Sequence, residues 1–184
     1  VIGTLGAIGV NWYKFRLRNY VQVITFLPMI LPEIIIGVSL LIFFAGVGIK
    51  LGLGSIYLAH TTFNLPFVFL MVMARLDEFD YSIIEAAKDL GATEIQTLLK
   101  VIIPVSIPGI ISGFLTAVTL SLEDFVITFF VSGPGSTTLP LYIYSMIRFG
   151  VSPVINALSV VMIVGTVILT LSLRKFLKFI AANG

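Results

Sequence analysis

Three carboxylates stand where a carboxylate is costly. Glu33, Glu123 and Asp124 each lie within long apolar stretches. A charged side chain at the centre of a bilayer costs on the order of 3 kcal/mol on insertion scales, and more by other estimates, so such groups face a bundle interior, a watery path or an opposite charge. The chemistry open to them is electrostatic: a counter-charge for a cationic substrate on its way through. The structural alternatives are an internal ion pair or a reach to the interface for Glu123 and Asp124. For Glu33, which follows Pro32, they are a hydrogen bond to a neighbouring helix or a cap at a helix break. His60 and Asn64 are four residues apart and share a helix face, which reads as a polar helix–helix contact. No metal site is expected, because His60 is the only histidine and the chain has no cysteine. Catalysis is not indicated either. There is no Walker-type phosphate loop and no nucleophile–base pair. No catalytic residue is assigned, no cofactor is expected on the chain, and energy for transport must come from a partner.

The elements that must hold these groups are apolar helices. Of 184 residues, 58% are hydrophobic and 11% charged, against about 25% charged in a typical soluble domain. The net charge of +2, with scattered basic residues, points to no nucleic acid. A helix needs about 20 apolar residues to cross the hydrocarbon layer. Val21 to Ile49, Leu51 to Ala74, Val101 to Leu122 (continuing through Glu123 and Asp124 to Val131) and Pro153 to Leu173 meet that requirement. Val1 to Val10 reads as the tail of a fifth span, so the expectation is an N-terminally truncated bundle forming one permease-like domain over 1–184. Pro28, Pro32 and Pro66 interrupt spans, which lipid tolerates where neighbours satisfy the freed carbonyls. Gly109, Ser112, Gly113, Thr116, Thr119 and Ser121 offer small surfaces for close packing. Glu123 and Asp124 are expected in the outer half of their span, on different faces. Tyr142 and Tyr144, and Trp12 and Tyr13 beside Lys14, have the composition of an interfacial belt. Turn residues between Ser132 and Pro153 bracket a short helix over Leu141 to Arg148.

The one long polar run, Glu85 to Pro104, has the grammar of helix, turn, helix. Ser82 with Glu85 fits a capping box, and Thr93 with Gln96 fits a second. Gly91 sits where a helix C-terminus favours positive φ. Ala86 and Ala87 would let another surface approach closely. The positive-inside rule places this run in the cytoplasm. Lys14, Arg16, Arg18, Arg75, Lys88, Lys100, Arg174, Lys175 and Lys178 then lie inside, and only Lys50 and Arg148 outside.

Glu85-Ala86-Ala87, Gly91 and Ile103-Pro104 together resemble the EAA loop of the permease subunits of bacterial ABC importers, with the coupling loop at about 76–104. Pro28–Phe44, His60–Phe69, Ser121–Gly135 and Leu139–Leu158 resemble the PotC-type branch, which serves spermidine/putrescine importers. The resemblance implies an all-α integral membrane protein with the type I importer (MetI-like) permease fold, in the bacterial cytoplasmic (inner) membrane. It implies Glu85, Ala86, Ala87, Asp89 and Gly91 as the residues that dock on an ATPase, and Glu123, Asp124 and Glu33 as the acids on a polyamine path. It also implies partners: a second, PotB-like permease, a dimer of PotA-like ATP-binding subunits carrying ATP-Mg, and an extracytoplasmic PotD-like polyamine-binding protein. An importer of another substrate (ferric iron, thiamine, an oxyanion), a gradient-driven secondary transporter and a non-transporting scaffold remain alternatives.

Overall fold

Proline decides where the first long apolar stretch bends. In the computed structural model, which describes residues 1–13, 15–148, 150 and 153–183 (backbone only for 169 and 173–183), Val21 to Ile49 is not one helix. It forms α2 (Arg18–Ile30) and α3 (Glu33–Gly46), which meet at 107°. Leu31 and Pro32 between them are extended, with ψ of 141° and 134°. A residue before proline is pushed out of the helical region, and proline itself has no N–H to continue the ladder. The expected kink is thus a full break, and it puts Glu33 in the first turn of α3, where the helix dipole favours an anion.

The remaining helices of residues 1–137 are α1 (Ile2–Trp12), α4 (Leu53–Asp77), α5 (Ser82–Asp89), α6 (Glu94–Thr97), α7 (Ile103–Glu123) and α8 (Val126–Val131). A π turn at Leu98–Ile102 joins α6 to α7 into one run. It lies where Pro104 has no N–H to offer the Lys100 carbonyl, so the ladder widens there. A second compact unit, residues 138–184, holds α9 (Leu139–Arg148) and α10 (Pro153–Asn183). The short helix expected over Leu141 to Arg148 is α9. Among the described residues, three helices are long and apolar enough to cross a membrane, Leu53–Asp77, Glu94–Glu123 and Pro153–Ser172, or four if the bent α2–α3 pair is one span. No strand occurs among the described residues.

α4 is the spine of the first unit, and its most extensive partner is α7. The crossing is close because Gly109 and Gly113 lie against α4. A Cβ at Gly109 would stand 2.9 Å from the Met71 carbonyl oxygen and 3.2 Å from the Val72 Cα, and one at Gly113 3.1 Å from the Val68 Cα. Those are backbone atoms and cannot step aside. Pro66 is fully buried, as a broken ladder in a membrane helix requires. Two apolar clusters sit at the two ends of α4. Ile56, Ala59 and Phe63 pack with Ile36 and Phe44 of α3 and Ile127 and Val131 of α8. Phe69, Val72, Met73 and Leu76 pack with Ala7, Ile8 and Val10 of α1 and with Ile102.

The third expected span also ends early. α7 stops at Glu123, Asp124 is extended (ψ 118°), and α8 begins at Val126. Glu123 and Asp124 therefore flank a helix junction, not the middle of a continuous helix, and the expectation drawn from helical rotation does not apply to them.

Candidate functional site

The junction explains why a carboxylate survives there. Asp124 turns its oxygens onto the buried N-terminus of α8: Oδ1 accepts from the Ile127 N–H (3.2 Å) and Oδ2 from the Thr128 N–H (2.8 Å). These are the donors a new helix leaves unpaired. Oδ2 also accepts the Thr128 hydroxyl at 2.6 Å and faces His60 Nε2 at 3.2 Å. The side chains of Asp124 and His60 are only 3% and 12% exposed. The proton count follows from the geometry. The Thr128 hydroxyl gives its hydrogen to Asp124, so its oxygen accepts from His60 Nε2, 2.8 Å away. Nε2 is therefore protonated, and in the neutral ring Nδ1 accepts from the Ser121 hydroxyl at 2.7 Å.

His60 is thus a contact between α4 and the α7–α8 junction, as the polar-contact reading expects, but its partner includes the acid itself. Sequence reasoning did not pair His60 with Asp124. The available signal was that His60, the only histidine, stands in one apolar stretch and that Asp124, with Glu123, stands in another. Asn64, on the same face of α4, is buried, and its Oδ1 has no partner among the described residues.

Glu33 and Glu123 are held differently. Both are exposed, and neither makes a hydrogen bond or ion pair among the described residues. They meet Asp124 around one cavity of about 290 Å³, completed by Phe63, Leu120, Phe125 and Val126. The break at Pro32 carries Glu33 there, and the stop of α7 carries Glu123 there. Three acids separated by up to 91 positions in the chain (33 to 124) so share one mixed apolar and acidic pocket. A cation with an aliphatic body fits that lining chemically.

The polar loop lies at the other end of the α4–α7 pair, about 30 Å away along α7 at 1.5 Å per residue. Its helix–turn–helix form is present. Gly91 has φ of +81°, and the Gly91 and Ala92 N–H groups close the end of α5 on the Lys88 and Ala87 carbonyls (2.8 and 3.0 Å). Thr93 and Gln96 make both bonds of a capping box, 3.3 Å from the Gln96 N–H to Thr93 Oγ1 and 2.9 Å from the Thr93 N–H to Gln96 Oε1. The other expected capping box is absent. Ser82 is already helical, and its N–H is taken by Asp80 Oδ1 at 2.9 Å. An aspartate two residues upstream reaches that N–H without leaving its own turn. The same bond, with the Ser82 side chain, holds the Asp80 carboxyl below its ordinary value.

Glu85, Ala86, Asp89 and Gly91 are exposed and Ala87 half-buried, while Leu90 and Ile95 present large apolar surface at 89% and 69% exposure. α5 also borders a cavity. Asn11, Trp12, Arg18, Asp77, Tyr81, Ile84, Glu85 and Lys88 line this space of about 620 Å³. Trp12 faces this loop, with the Lys88 ammonium 5.9 Å over its ring. Lys14 and the side chains of Arg174, Lys175 and Lys178, which entered the orientation argument, lie outside the described residues.

Comparison with known proteins shows the family and the fold. Residues 1–182 match the family described as the inner membrane component of binding-protein-dependent transport systems. The spermidine/putrescine transport system permease protein PotC of Haemophilus influenzae is 46% identical over 164 residues, covering 89% of this chain and 64% of that protein. PotC of Escherichia coli is 42% identical over 172 residues (94% and 65%). The putrescine transport system permease protein PotI of Escherichia coli is 43% identical over 166 residues (86% and 59%). The chain thus spans just under two thirds of the length of the PotC proteins. A chain of the MetNI methionine ABC transporter, solved in inward facing conformations, superposes with a TM-score of 0.77 at 23% identity, covering 97% of this chain and 84% of that one. At that identity the likeness shows a shared fold alone.

Proposed function

This chain belongs to the family of binding-protein-dependent transport system inner membrane components, and on that premise we propose that it is part of a permease subunit of an ATP-driven polyamine importer. The observation that carries the reading is the division of labour along the α4–α7 pair: an acid-lined pocket at one end and an exposed polar helix–turn–helix at the other. The pocket sits toward the outer face of the bacterial cytoplasmic membrane and the loop toward the ATPase. Polyamines are multivalent cations with aliphatic spacers, and they match both the carboxylates and the apolar walls. Glu33 and Glu123 have free oxygens to meet ammonium groups. Asp124 adds its charge to the pocket while its oxygens are engaged by α8 and His60. The names of the similar PotC and PotI proteins support spermidine or putrescine as the cargo.

The exposed face of α5 and the turn at Gly91 dock on a cytoplasmic ATPase of PotA type, which binds ATP-Mg. A PotB-like permease pairs with this subunit, and a PotD-like binding protein delivers polyamine from outside. ATP binding draws the docked loops together, the bundle opens outward to receive substrate, and hydrolysis resets it.

The test is spermidine uptake by the full-length subunit with its partners in proteoliposomes. Glu33→Gln and Glu123→Gln each remove one counter-charge and are expected to raise the KM for spermidine roughly tenfold, the scale of one charge-assisted hydrogen bond. Unchanged KM in both single variants and in the double variant would remove the acids from the path.

A further inference from the structure

One side of α5 carries Ile84 and Lys88, continued by Tyr81 just before its first residue, at the spacing that lines up one side of a helix. Two of them meet consecutive residues at the end of α1, Tyr81 at Asn11 and Lys88 at Trp12. Asn11 Nδ2 donates to Asp77 Oδ1 at 2.9 Å and touches Met73 Sδ at 3.6 Å, while Asn11 Oδ1 accepts the Tyr81 hydroxyl. The direction of these bonds is forced. The Asp77 carboxylate only accepts, so the amide nitrogen must face it, and the amide oxygen is left for Tyr81. Trp12 lies under the Lys88 ammonium at the far end of α5, and Trp12 and Ile84 both pack on the apolar cluster of α1, α4 and Ile102.

We propose that Asn11 and Trp12 are positioning residues that clamp the coupling helix to α1 at both of its ends. This rests on the coupling role proposed above. α5 is joined by the chain to α4 on one side and, through α6, to α7 on the other. Neither connection includes α1, which has no covalent path to the loop except through α2, α3 and the whole of α4. The clamp adds a direct link from α5 to α1, beside the packing of α1 on α4. A displacement of α5 pulls α1 with it, through Tyr81–Asn11 at one end and Lys88–Trp12 at the other. Asn11 also ties the same point to Asp77 at the end of α4, so three helices move from one junction.

The experiment reads spermidine taken up per ATP hydrolysed, in proteoliposomes holding the full-length subunit and its partners. Asn11→Asp sets two carboxylates against each other and is expected to lower that ratio roughly fivefold, within the range of coupling changes seen along such networks. The double variant N11D/D77N exchanges donor and acceptor, with an amide at 77 and a carboxylate at 11 that still accepts the Tyr81 hydroxyl. It is expected to restore the ratio to within about twofold. Tyr81→Phe keeps the ring and loses only the donor, with an expected loss of roughly twofold. A normal ratio in both N11D and Y81F overturns the clamp, and so does an N11D defect that D77N fails to relieve. Should N11D not assemble, Y81F decides, and an unchanged ratio there is fatal to the proposal. Gly91→Val in the same assay separates the two readings. If it uncouples while the clamp variants do not, only the clamp fails. If it couples fully, the coupling role of the loop fails.

Discussion

The two ends of the α4–α7 pair solve the same problem, keeping polar groups on a membrane bundle, in opposite ways. At the acid end the polar groups close on one another. Asp124, His60, Thr128, Ser121 and two backbone N–H groups form a nearly sealed network. At the loop end the polar groups of α5 and α6 are mostly exposed, and their bonds are local caps or single tethers such as Tyr81–Asn11. The difference teaches which residues can be altered without loss of structure. A buried acceptor with three donors is part of the fold. An exposed carboxylate with none is free to meet something else.

The comparison breaks most visibly at Asp124. Asp124→Ala leaves two α8 N–H groups and the Thr128 hydroxyl without their acceptor, and should destabilise the subunit by about 3 kcal/mol, at about 1–3 kcal/mol for a buried group left unpaired. Thermal melting of the detergent-solubilised full-length protein measures this. Glu123→Ala, next to it, should move the melting temperature little, since no bond is lost. Equal effects of the two substitutions would erase the distinction between them.

Smaller effects belong to the loop end. Gly91→Ala forces a side chain into φ of +81° and should cost about 1 kcal/mol, visible as faster amide exchange over 88–93 and as weaker ATPase coupling. Thr93→Ala removes the cap of α6 and should cost about 1 kcal/mol or less at an exposed site, read by the same exchange experiment at Gln96. The smallest concerns Asp80. Its folded pKa is depressed by the bonds to Ser82, so the contribution is complete above the ordinary aspartate value near 3.8 and fades only as pH falls through the lower folded value. Exchange protection at Ser82 should therefore be level from neutral pH down to that value and drop below it. Asp80→Asn should remove the drop.

Much of this was legible in the sequence. Gly91 and the Thr93–Gln96 pair are local signals, because a left-handed turn and a capping box depend on residues within four positions. The small residues of α7 predicted a close crossing, and Gly109 and Gly113 make it. Other elements were read less well, for reasons of the same kind. Pro28 and Pro32 signalled a kink, but the 107° turn depends on where α3 finds its partner, α8. The stop of α7 at Glu123 has no proline or glycine to announce it. It is stabilised by a carboxylate whose bonds exist only once α8 folds back and His60 arrives from α4.

The order of residues by itself determined that this is a membrane protein of apolar helices with one charged elbow, because hydropathy, turn chemistry and capping act over short spans of chain. Only the tertiary structure decided that Glu33, Glu123 and Asp124 share a pocket, that Asp124 alone among them is bonded into the fold, and that Asn11 and Trp12 reach the elbow. Those relations join positions more than 60 residues apart, and long-range partners are chosen by helix packing, which no local pattern encodes.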